Sequence, residues 1–521
     1  MNMAVMWSGL YVLLWILIPT PATERNSRPN IVIIMADDMG WGDVGANWPQ
    51  TVDTPAIDQL AREGLRLTDF HTGASVCTPS RAALLTGRLG LRTGLVENFG
   101  PESLGGIPTN ETTVAEILLS AGYRTAMFGK WHLGTKPGHH PLDKGFQSYL
   151  GVPYSVDMGC ADPPGANLPY CPACPHENGV DLYEPIPPGC IMEPAVPLYS
   201  NHSVAHQPVK LSDLSMMYAD FANNFIRNKS SEPYFLYAAL SHMHVPLAHA
   251  HKYDNITGRG EYADTLRELD GLVESILSVV RETNNNTLIW FTTDNGPWQV
   301  KCELAGSVGP FTGKWQASPD GGGGGSVAKT TIWEGGHRVP SIIYWPGHTK
   351  SGTVSSALTS TLDILPTMTA LAEGNLPTDR YFDGEDMTSI ITGTSQNIRQ
   401  VLFHPNNGIF VAGEIGAVRL GSYKVVYSTG GIPDCSGHSG PARNHTDVPL
   451  VFKLDTDPSE AVPLDRNSSE YVTTVELARI ALIDLHQSIR SDNRSTVNYT
   501  SSEEGRVCCD KDSPICRCPW D

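Results

Sequence analysis

Between residues 30 and 373 the chain alternates short apolar runs with longer stretches of helical period. That alternation restricts it to one class of fold. The runs are Asn30–Met35, Arg124–Phe128, Tyr234–Leu240, Thr287–Thr293 and Ser341–Trp345. They are short for helices, and Asn30–Met35 is too continuously apolar for a strand with one wet face. Between them lie segments with readable helix boundaries. Thr54 caps Pro55, Ile57, Leu60 and Ala61 share a face, and Gly64 is the stop. Thr112–Gly122 turns Val114, Ile117 and Leu118 inward, Ser215–Asn228 reads as helix, and Asp363–Glu373 reads as another. Thr265–Glu282 puts Leu266, Leu269, Leu272, Val273, Ile276, Leu277 and Val280 on one stripe. Buried strands alternating with helices predict an α/β unit, a central sheet flanked by helices.

After about residue 395 the pattern changes. Val401–His404, Ala417–Leu420, Tyr423–Tyr427 and Leu450–Leu454 are strand-like with little helix between them; a helix at Val472–Ile489 and a cysteine-dense tail follow. This predicts a smaller α+β domain with an antiparallel sheet. The expected division is a large domain over 28–395 and a small one over 396–521. Residues 151–210 are rich in Pro, Gly and Cys without periodicity and predict an irregular, disulfide-stapled insertion. Five glycines at 321–325 predict a flexible loop tip.

The chain has 521 residues, is 40% hydrophobic and carries a net charge of −19. Such a balance excludes a nucleic-acid partner. It also means that an anionic substrate needs a local basic pocket to override the global field. Residues 1–23 read as a signal peptide: an apolar run from Leu10 to Ile18, too short to span a membrane, leads into a small-residue exit. Asn-x-Ser/Thr sequons at Asn110, Asn201, Asn228, Asn255, Asn285, Asn444, Asn467, Asn493 and Asn498 suit a secreted glycoprotein. With Cys77 set apart from the 11 cysteines, the remaining ten could make five bridges in an oxidising compartment. Zinc at Cys171–Cys174 and Cys516–Cys518 is the weaker alternative, because no suitably spaced histidines accompany them.

Cys77-Thr78-Pro79-Ser80-Arg81 holds the main candidate chemistry. Thr78 is a good N-cap and Pro79 fits the first helical position, so Cys77 is expected just ahead of a helix N-terminus, where an anion is favoured. Arg81 and Arg88 add positive charge. The same segment also reads as a structural cysteine before an ordinary helix. The other polar candidates cluster at strand ends: Asp37-Asp38, Lys130 with His132, His242 with His244, and Asp294-Asn295. In open α/β sheets, ligands bind beyond the carboxyl ends of the strands. Adjacent buried aspartates call for a cation, and hard oxygen ligands point to Ca²⁺ or Mg²⁺. Lys130, His132, His244, Lys329 and Arg81 would surround a tetrahedral oxyanion, as phosphoryl or sulfuryl transfer requires.

Together these motifs resemble the sulfatase family. Cys77-x-Pro79-x-Arg81 with Thr86-Gly87-Arg88 resembles its signature. Ala36-Asp37-Asp38-Met39-Gly40, Gly129-Lys130-Trp131-His132, His242-x-His244-x-Pro246, Asp294-Asn295-Gly296 and Glu334-Gly335-Gly336 follow in the family's order. The likeness spans about residues 28 to 500 and is strongest to the arylsulfatase A-like group. Gly42–Trp48, Tyr154–Cys160 and Cys302–Gly313 carry that finer likeness. The resemblance implies an alkaline-phosphatase-like large domain and a Cys77 oxidised to Cα-formylglycine by the formylglycine-generating enzyme. One hydroxyl of the hydrated aldehyde would attack sulfur and the other would expel sulfate. Asp37, Asp38, Asp294 and Asn295 would hold one Ca²⁺ together with modified Cys77. Arg81 would steady that residue, and His132 would assist sulfate release. Lys130, Ser155, His244 and Lys329 would bind sulfate, with His244 or Lys329 protonating the leaving oxygen. His244 is preferred to His242 because it stands two before Pro246, and Lys329 to Lys314 because it stands five before Glu334.

The resemblance further implies pairing of Cys302 with Cys435, Cys508 with Cys516 and Cys509 with Cys518, and two nested bridges among Cys160, Cys171, Cys174 and Cys190. It implies a lysosomal hydrolase acting on a sulfated glycosaminoglycan, N-sulfoglucosamine 3-O-sulfate in heparan sulfate, or on aryl sulfates. Neither a membrane span nor a nucleic-acid partner is expected, and a homo-oligomer is compatible with the sequence. The competing readings are a phosphatase or phosphonate hydrolase of the same fold, and an inactive secreted glycan-binding protein.

Overall fold

The Asn30–Ala36 strand shows why the molecule is layered. Its seven residues are all buried, and alternate side chains enter two different cores. Ile31, Ile33 and Met35 face one; Val32, Ile34 and Ala36 face the other. A period of two with both faces buried requires helices on each side. The computed structural model describes residues 28–161, 194–228, 230–284, 286–512 and 514–518. The expected signal peptide lies outside them, as does most of the cysteine-rich insertion.

Among the described residues the large sheet has ten strands. Four neighbours at its centre run parallel: Thr287–Thr293, Asn30–Ala36, Tyr234–Ala239 and Arg124–Gly129. Antiparallel pairings at Ser341–Tyr344 and at the Leu198–Ser200/Ser203–His206 hairpin make the sheet mixed. That hairpin departs from the irregular insertion expected over 151–210. It turns at Asn201, with φ of 52°, and Tyr149 donates its N–H to the Asn201 side chain, extending the sheet edge.

Helices Pro55–Glu63 and Glu261–Thr283 cover one face with Ile57, Leu60, Leu269, Val273, Ile276 and Leu277. Helices Cys77–Thr86, Val114–Ser120 and Ile364–Leu371 cover the other. Each fully buried Leu or Ile side chain contributes about 1.5–3 kcal/mol. Val114–Ser120 starts on a capping box, Thr113 accepting from the Glu116 N–H while Glu116 accepts from the Thr113 N–H.

The C-terminal part is an antiparallel sheet in the order Val401–Pro405, Ile415–Leu420, Tyr423–Val426, Leu450–Lys453. One face packs on helix Ser469–Arg490 through Val418, Val425, Val451, Tyr471 and Ala478. The other packs Ala417, Val426, Leu450 and Phe452 against Trp315 and Trp333 of the large part.

A buried ionic network also ties the two parts. Glu334 pairs with Arg419 at 2.9 Å and Lys424 at 3.0 Å; Lys424 also pairs with Glu460 at 2.9 Å, and Arg419 with Asp69 at 3.0 Å. His337 stacks on His404 with centroids 4.1 Å apart, and burial drives the His337 pKa down to about 3. Cys302–Cys435 joins the parts covalently, and Cys508–Cys516 and Cys509–Cys518 clip the tail, in the pairings the resemblance implied. Cys160 is disulfide-bonded, while Cys171, Cys174 and Cys190 lie outside the described residues. The 321–325 glycines are not a free tip. The Gln316 amide donates to the carbonyls of Gly321 and Gly324, and Asp434 accepts from the Gly325 N–H.

Candidate active site

The four central strands deliver their carboxyl ends to one sheet edge, and their turns interlock. Asp37 donates its N–H to the His242 carbonyl at 2.6 Å, Met243 donates to the Asp37 carbonyl at 2.7 Å, and Asp38 donates to Asp294 Oδ1 at 3.2 Å. Asp38 and His132 sit at φ of 56° and 59°, a left-handed region costly for non-glycine residues. Such strain clusters at sites where side-chain direction matters more than backbone comfort. Gly296 brings two of the motifs together. Its N–H donates to the Gly336 carbonyl at 3.0 Å, and a Cβ on it would lie 1.9 Å from the Gly335 carbonyl oxygen. Asp294-Asn295-Gly296 and Glu334-Gly335-Gly336 are therefore in direct backbone contact.

The signature helix starts at Cys77 itself with Val76 as N-cap, and not at Pro79 with Thr78 as N-cap. A tertiary contact overrides the local preference: the Thr78 hydroxyl donates to the His132 carbonyl at 2.7 Å, and its N–H donates to Asn98 Oδ1 at 2.8 Å. Pro79 then falls in the first turn, where a missing N–H costs nothing. The helix ends at Gly87 with φ of 66°, as expected. Arg88 does not join the site; it pairs with Glu111 at 3.2 Å and Asp492 at 3.5 Å.

Around Cys77 three carboxylates meet three cations, all buried. Arg81 pairs with Asp294 at 2.8 Å and Asp37 at 3.3 Å and donates to the Lys130 carbonyl at 3.0 Å. Lys130 Nζ lies 2.6 Å from Asp37 Oδ2, and Lys329 Nζ lies 2.6 Å from Asp38 Oδ1. Burial pushes the Asp37 carboxyl upward, but Lys130 and Arg81 overcome it and hold the group below its ordinary range. Asp294 stays raised, by burial and by Asp37. Lys314, the competing lysine, is exposed at the start of the short helix Lys314–Ala317.

The Cys77 thiol is 1% exposed, 3.9 Å from Asp37 Oδ1, and pushed up to about 12 by burial. It is the unpaired cysteine among the described residues. A thiol held protonated in this way is a poor nucleophile at any physiological pH.

The histidines divide by their partners. His242 turns away, bonding Ser215 Oγ and Glu268 Oε2, both at 3.1 Å. His244 Nε2 faces Ser155 Oγ at 3.3 Å and Asp38 Oδ2 at 3.5 Å, while Nδ1 meets the Val245 carbonyl. A carbonyl only accepts, so His244 carries a proton on Nδ1. Lys130 donates to Ser155 Oγ at 3.3 Å, and the Ser155 hydroxyl is shared between His244 Nε2 and the Asp157 carboxylate. His132 Nε2 meets the Phe99 carbonyl at 2.9 Å and so bears the proton there; its Nδ1 is buried without a partner. Burial and then Lys130 hold His132 well below its ordinary pKa, so it is neutral with a vacant acceptor.

Asp37, Asp38, Cys77 and His244 each offer a ligand atom within 4.8 Å of the others. Asp38 Oδ2 and Asn295 Oδ1 are buried with no hydrogen-bond partner. Asn295 presents Nδ2 to Asp38 Oδ1 at 2.7 Å; turning its amide over brings an oxygen to the same place. The donor set is therefore mostly hard oxygen and fits Ca²⁺ or Mg²⁺.

Asn98, the Phe99 carbonyl, Asp157 and Trp298 also belong to this site and were not singled out from sequence. Asp157 lies in the field of His244, Lys130 and Lys329, and its Oδ1 is buried without a partner. The Trp298 ring lies 5.5 Å from that of His244, with Lys329 Nζ 4.8 Å from its centroid.

Residues 29–374 match the family model described as Sulfatase, and residues 397–518 match that of the C-terminal region of aryl-sulfatase. Arylsulfatase G of Canis lupus familiaris is 51% identical over 500 residues, covering 95% of this chain and 92% of that relative. The PsFucS1 sulfatase from Pseudoalteromonas sp. superposes with a TM-score of 0.75 at 26% identity, covering 90% of this chain and 92% of that one. Ps i-CgsB, in complex with k-i-k-neocarrahexaose, gives 0.69 at 25% identity, covering 89% and 94%.

Proposed function

The chain belongs to the sulfatase family, and we propose that it is a calcium-assisted glycan sulfatase of the secretory pathway. Its reaction is sulfate-ester hydrolysis through a formylglycine made from Cys77. The carrying observation is the buried Cys77 side chain inside a charge-balanced ring of carboxylates and cations. Burial keeps the thiol itself from acting as the nucleophile, and the ring suits a hydrated aldehyde facing a sulfate group.

The hydrate supplies one hydroxyl to attack sulfur and a second to expel sulfate. Lys130, Lys329 and Ser155 converge on the space where sulfate oxygens would lie, and they neutralise charge as the S–O bond breaks. His244 is placed to give a proton to the departing alcohol, with Ser155 and Asp38 orienting its Nε2. Neutral His132 offers Nδ1 to accept a hydroxyl proton, its tautomer fixed by the Phe99 carbonyl. Arg81 fixes the direction of Asp37 and Asp294. Asp37, Asp38, Asp294 and Asn295, with the modified residue 77, would hold one Ca²⁺, which lends positive charge to the reacting oxygens.

The substrate we assign is a sulfated glycosaminoglycan, at the 3-O-sulfate of N-sulfoglucosamine in heparan sulfate. The resemblance to arylsulfatase G suggests this position, and the oligosaccharide held by Ps i-CgsB supports a glycan substrate in general. Aryl sulfates would serve as small substitutes. Delivery to the lysosome through the secretory route is supported by the disulfides and by the eight described sequon asparagines, all of which are exposed. No helix among the described residues is long and apolar enough to cross a membrane. The matched spans support a boundary near residues 395–396 between the catalytic domain and the C-terminal one.

Mass spectrometry of the tryptic peptide containing residue 77 tests the chemistry: the modified peptide is expected about 18 Da lighter than its cysteine form. Freshly secreted protein carrying only the thiol would sink the mechanism. Sulfate release from defined heparan, chondroitin and aryl sulfates tests the substrate; preference for aryl or chondroitin sulfate would overturn the heparan assignment.

A further inference from the structure

A cationic lip stands beside the sulfate site in a chain that has 55 acidic and 36 basic residues. Trp298, half-buried, touches His244 on one side and lies near Lys329. Lys301, also half-buried, holds its ammonium 4.4 Å from the same ring centroid. Among the described residues no carboxylate lies within ion-pair distance of Lys301, so its charge is not cancelled locally.

The lip is anchored at three points. Lys329 donates its N–H to the Pro297 carbonyl at 3.1 Å, and Val327 donates to Gln299 Oε1 at 2.9 Å. Cys302, next to Lys301, is bonded to Cys435 of the C-terminal part. An aromatic ring held this firmly loses little entropy when a ligand packs on it.

We propose that Trp298 and Lys301 form a subsite for the anionic sugar next to the one carrying the scissile sulfate. This rests on the sulfatase reading above. The exposed indole surface packs against the sugar's C–H groups. The Lys301 ammonium exchanges its place on the ring for a carboxylate or sulfate of that sugar, giving a charge-assisted contact in place of a weak cation–π one. The subsite separates a polyanionic glycan from a small aryl sulfate, which reaches only the inner lysines.

The test compares kcat/KM for a heparan-derived tetrasaccharide ending in 3-O-sulfated N-sulfoglucosamine with kcat/KM for p-nitrophenyl sulfate. Wild type, Trp298→Leu, Lys301→Gln and Lys301→Glu are measured at low and high salt. In Lys301→Gln the glycan-to-aryl ratio is expected to fall roughly tenfold through KM, the worth of one charge-assisted hydrogen bond. Lys301→Glu should lower it further, and added salt should shrink the difference between the two lysine variants. Trp298→Leu should lower the same ratio at either salt concentration. Because the readout is a ratio, a general loss in the tryptophan variant does not mimic the effect, and the lysine variants alter only a half-buried side chain. Aryl sulfate turnover with a ratio unchanged in both Lys301→Gln and Lys301→Glu overturns the subsite alone. Turnover of neither substrate by wild type whose residue 77 carries the modified mass overturns the sulfatase reading and the subsite with it.

Discussion

Glu334 offers the most informative single perturbation, because its carboxylate is the hub of the junction between the two sheets. It is fully buried and meets Arg419 at 2.9 Å, Lys424 at 3.0 Å and Arg338 at 3.4 Å. With Asp69 and Glu460 it balances these three cations. Glu334→Ala leaves one positive charge unmatched in a dry interior, which costs about 3–5 kcal/mol. The resulting drop in Tm depends on what unfolds. At roughly 2.1 cal/mol/K per residue, a loss of about 4 kcal/mol lowers Tm by roughly 4 °C if about 500 residues melt together, and by roughly 16 °C if about 120 C-terminal residues melt alone. Thermal unfolding followed by circular dichroism, with limited proteolysis near residue 395, distinguishes the two. The double variant Glu334→Ala/Lys424→Met should lose less than the sum of the single losses, because it removes the stranded cation. A Glu334→Ala protein melting within about 1 °C of wild type would refute the argument that this network binds the domains.

Three further outcomes follow from the same geometry. Burial, the largest influence, raises the Glu460 pKa from 4.5 to about 7. A folded pKa above the unfolded one means that stability from this group is full below about pH 4.5 and is lost as pH rises toward 7; Tm should be higher near pH 5 than near pH 7.5, and Glu460→Gln should flatten that slope. Gly296→Ala forces a Cβ to within 1.9 Å of the Gly335 carbonyl, so Tm should fall by the equivalent of about 3 kcal/mol, and sulfate release should fall with the displaced Asp294 and Asn295. Cys77→Ala should abolish sulfate release while secretion and Tm stay near wild type, since one small buried group is lost without stranding a charge.

Most of the site could be read in the sequence because its residues are the first polar ones after apolar runs. Asp37, Lys130 and Asp294 each follow a buried strand directly, and parallel neighbours must present such ends together. What escaped depends on partners remote in sequence. The Phe99 carbonyl that sets the His132 tautomer is a backbone group with no identity in the sequence. Thr78 looked like a cap because its local pattern is a good one, but the His132 carbonyl, 54 residues away, claimed its hydroxyl. The glycines at 321–325 looked free because neither Gln316 nor Asp434 announces that it will bond them. The Leu198–His206 hairpin carried its own signal, an Asn-His turn between alternating residues, overshadowed by the Pro- and Cys-rich stretch before it.

Burial of Cys77 has a consequence for how any preparation of this protein should be counted. Every residue of its helix is buried, and both the hydroxyl and the amide of Thr78 are bonded to other segments. On the proposed function, an oxidising enzyme could not reach the thiol once these contacts close, so oxidation would have to precede folding on each newly made chain. Chains that folded first would be sealed as unmodified, inert copies. Turnover per milligram is then partly a census of which chains were oxidised first. Titrating residue 77 by mass is the way to separate that headcount from the speed of each working molecule.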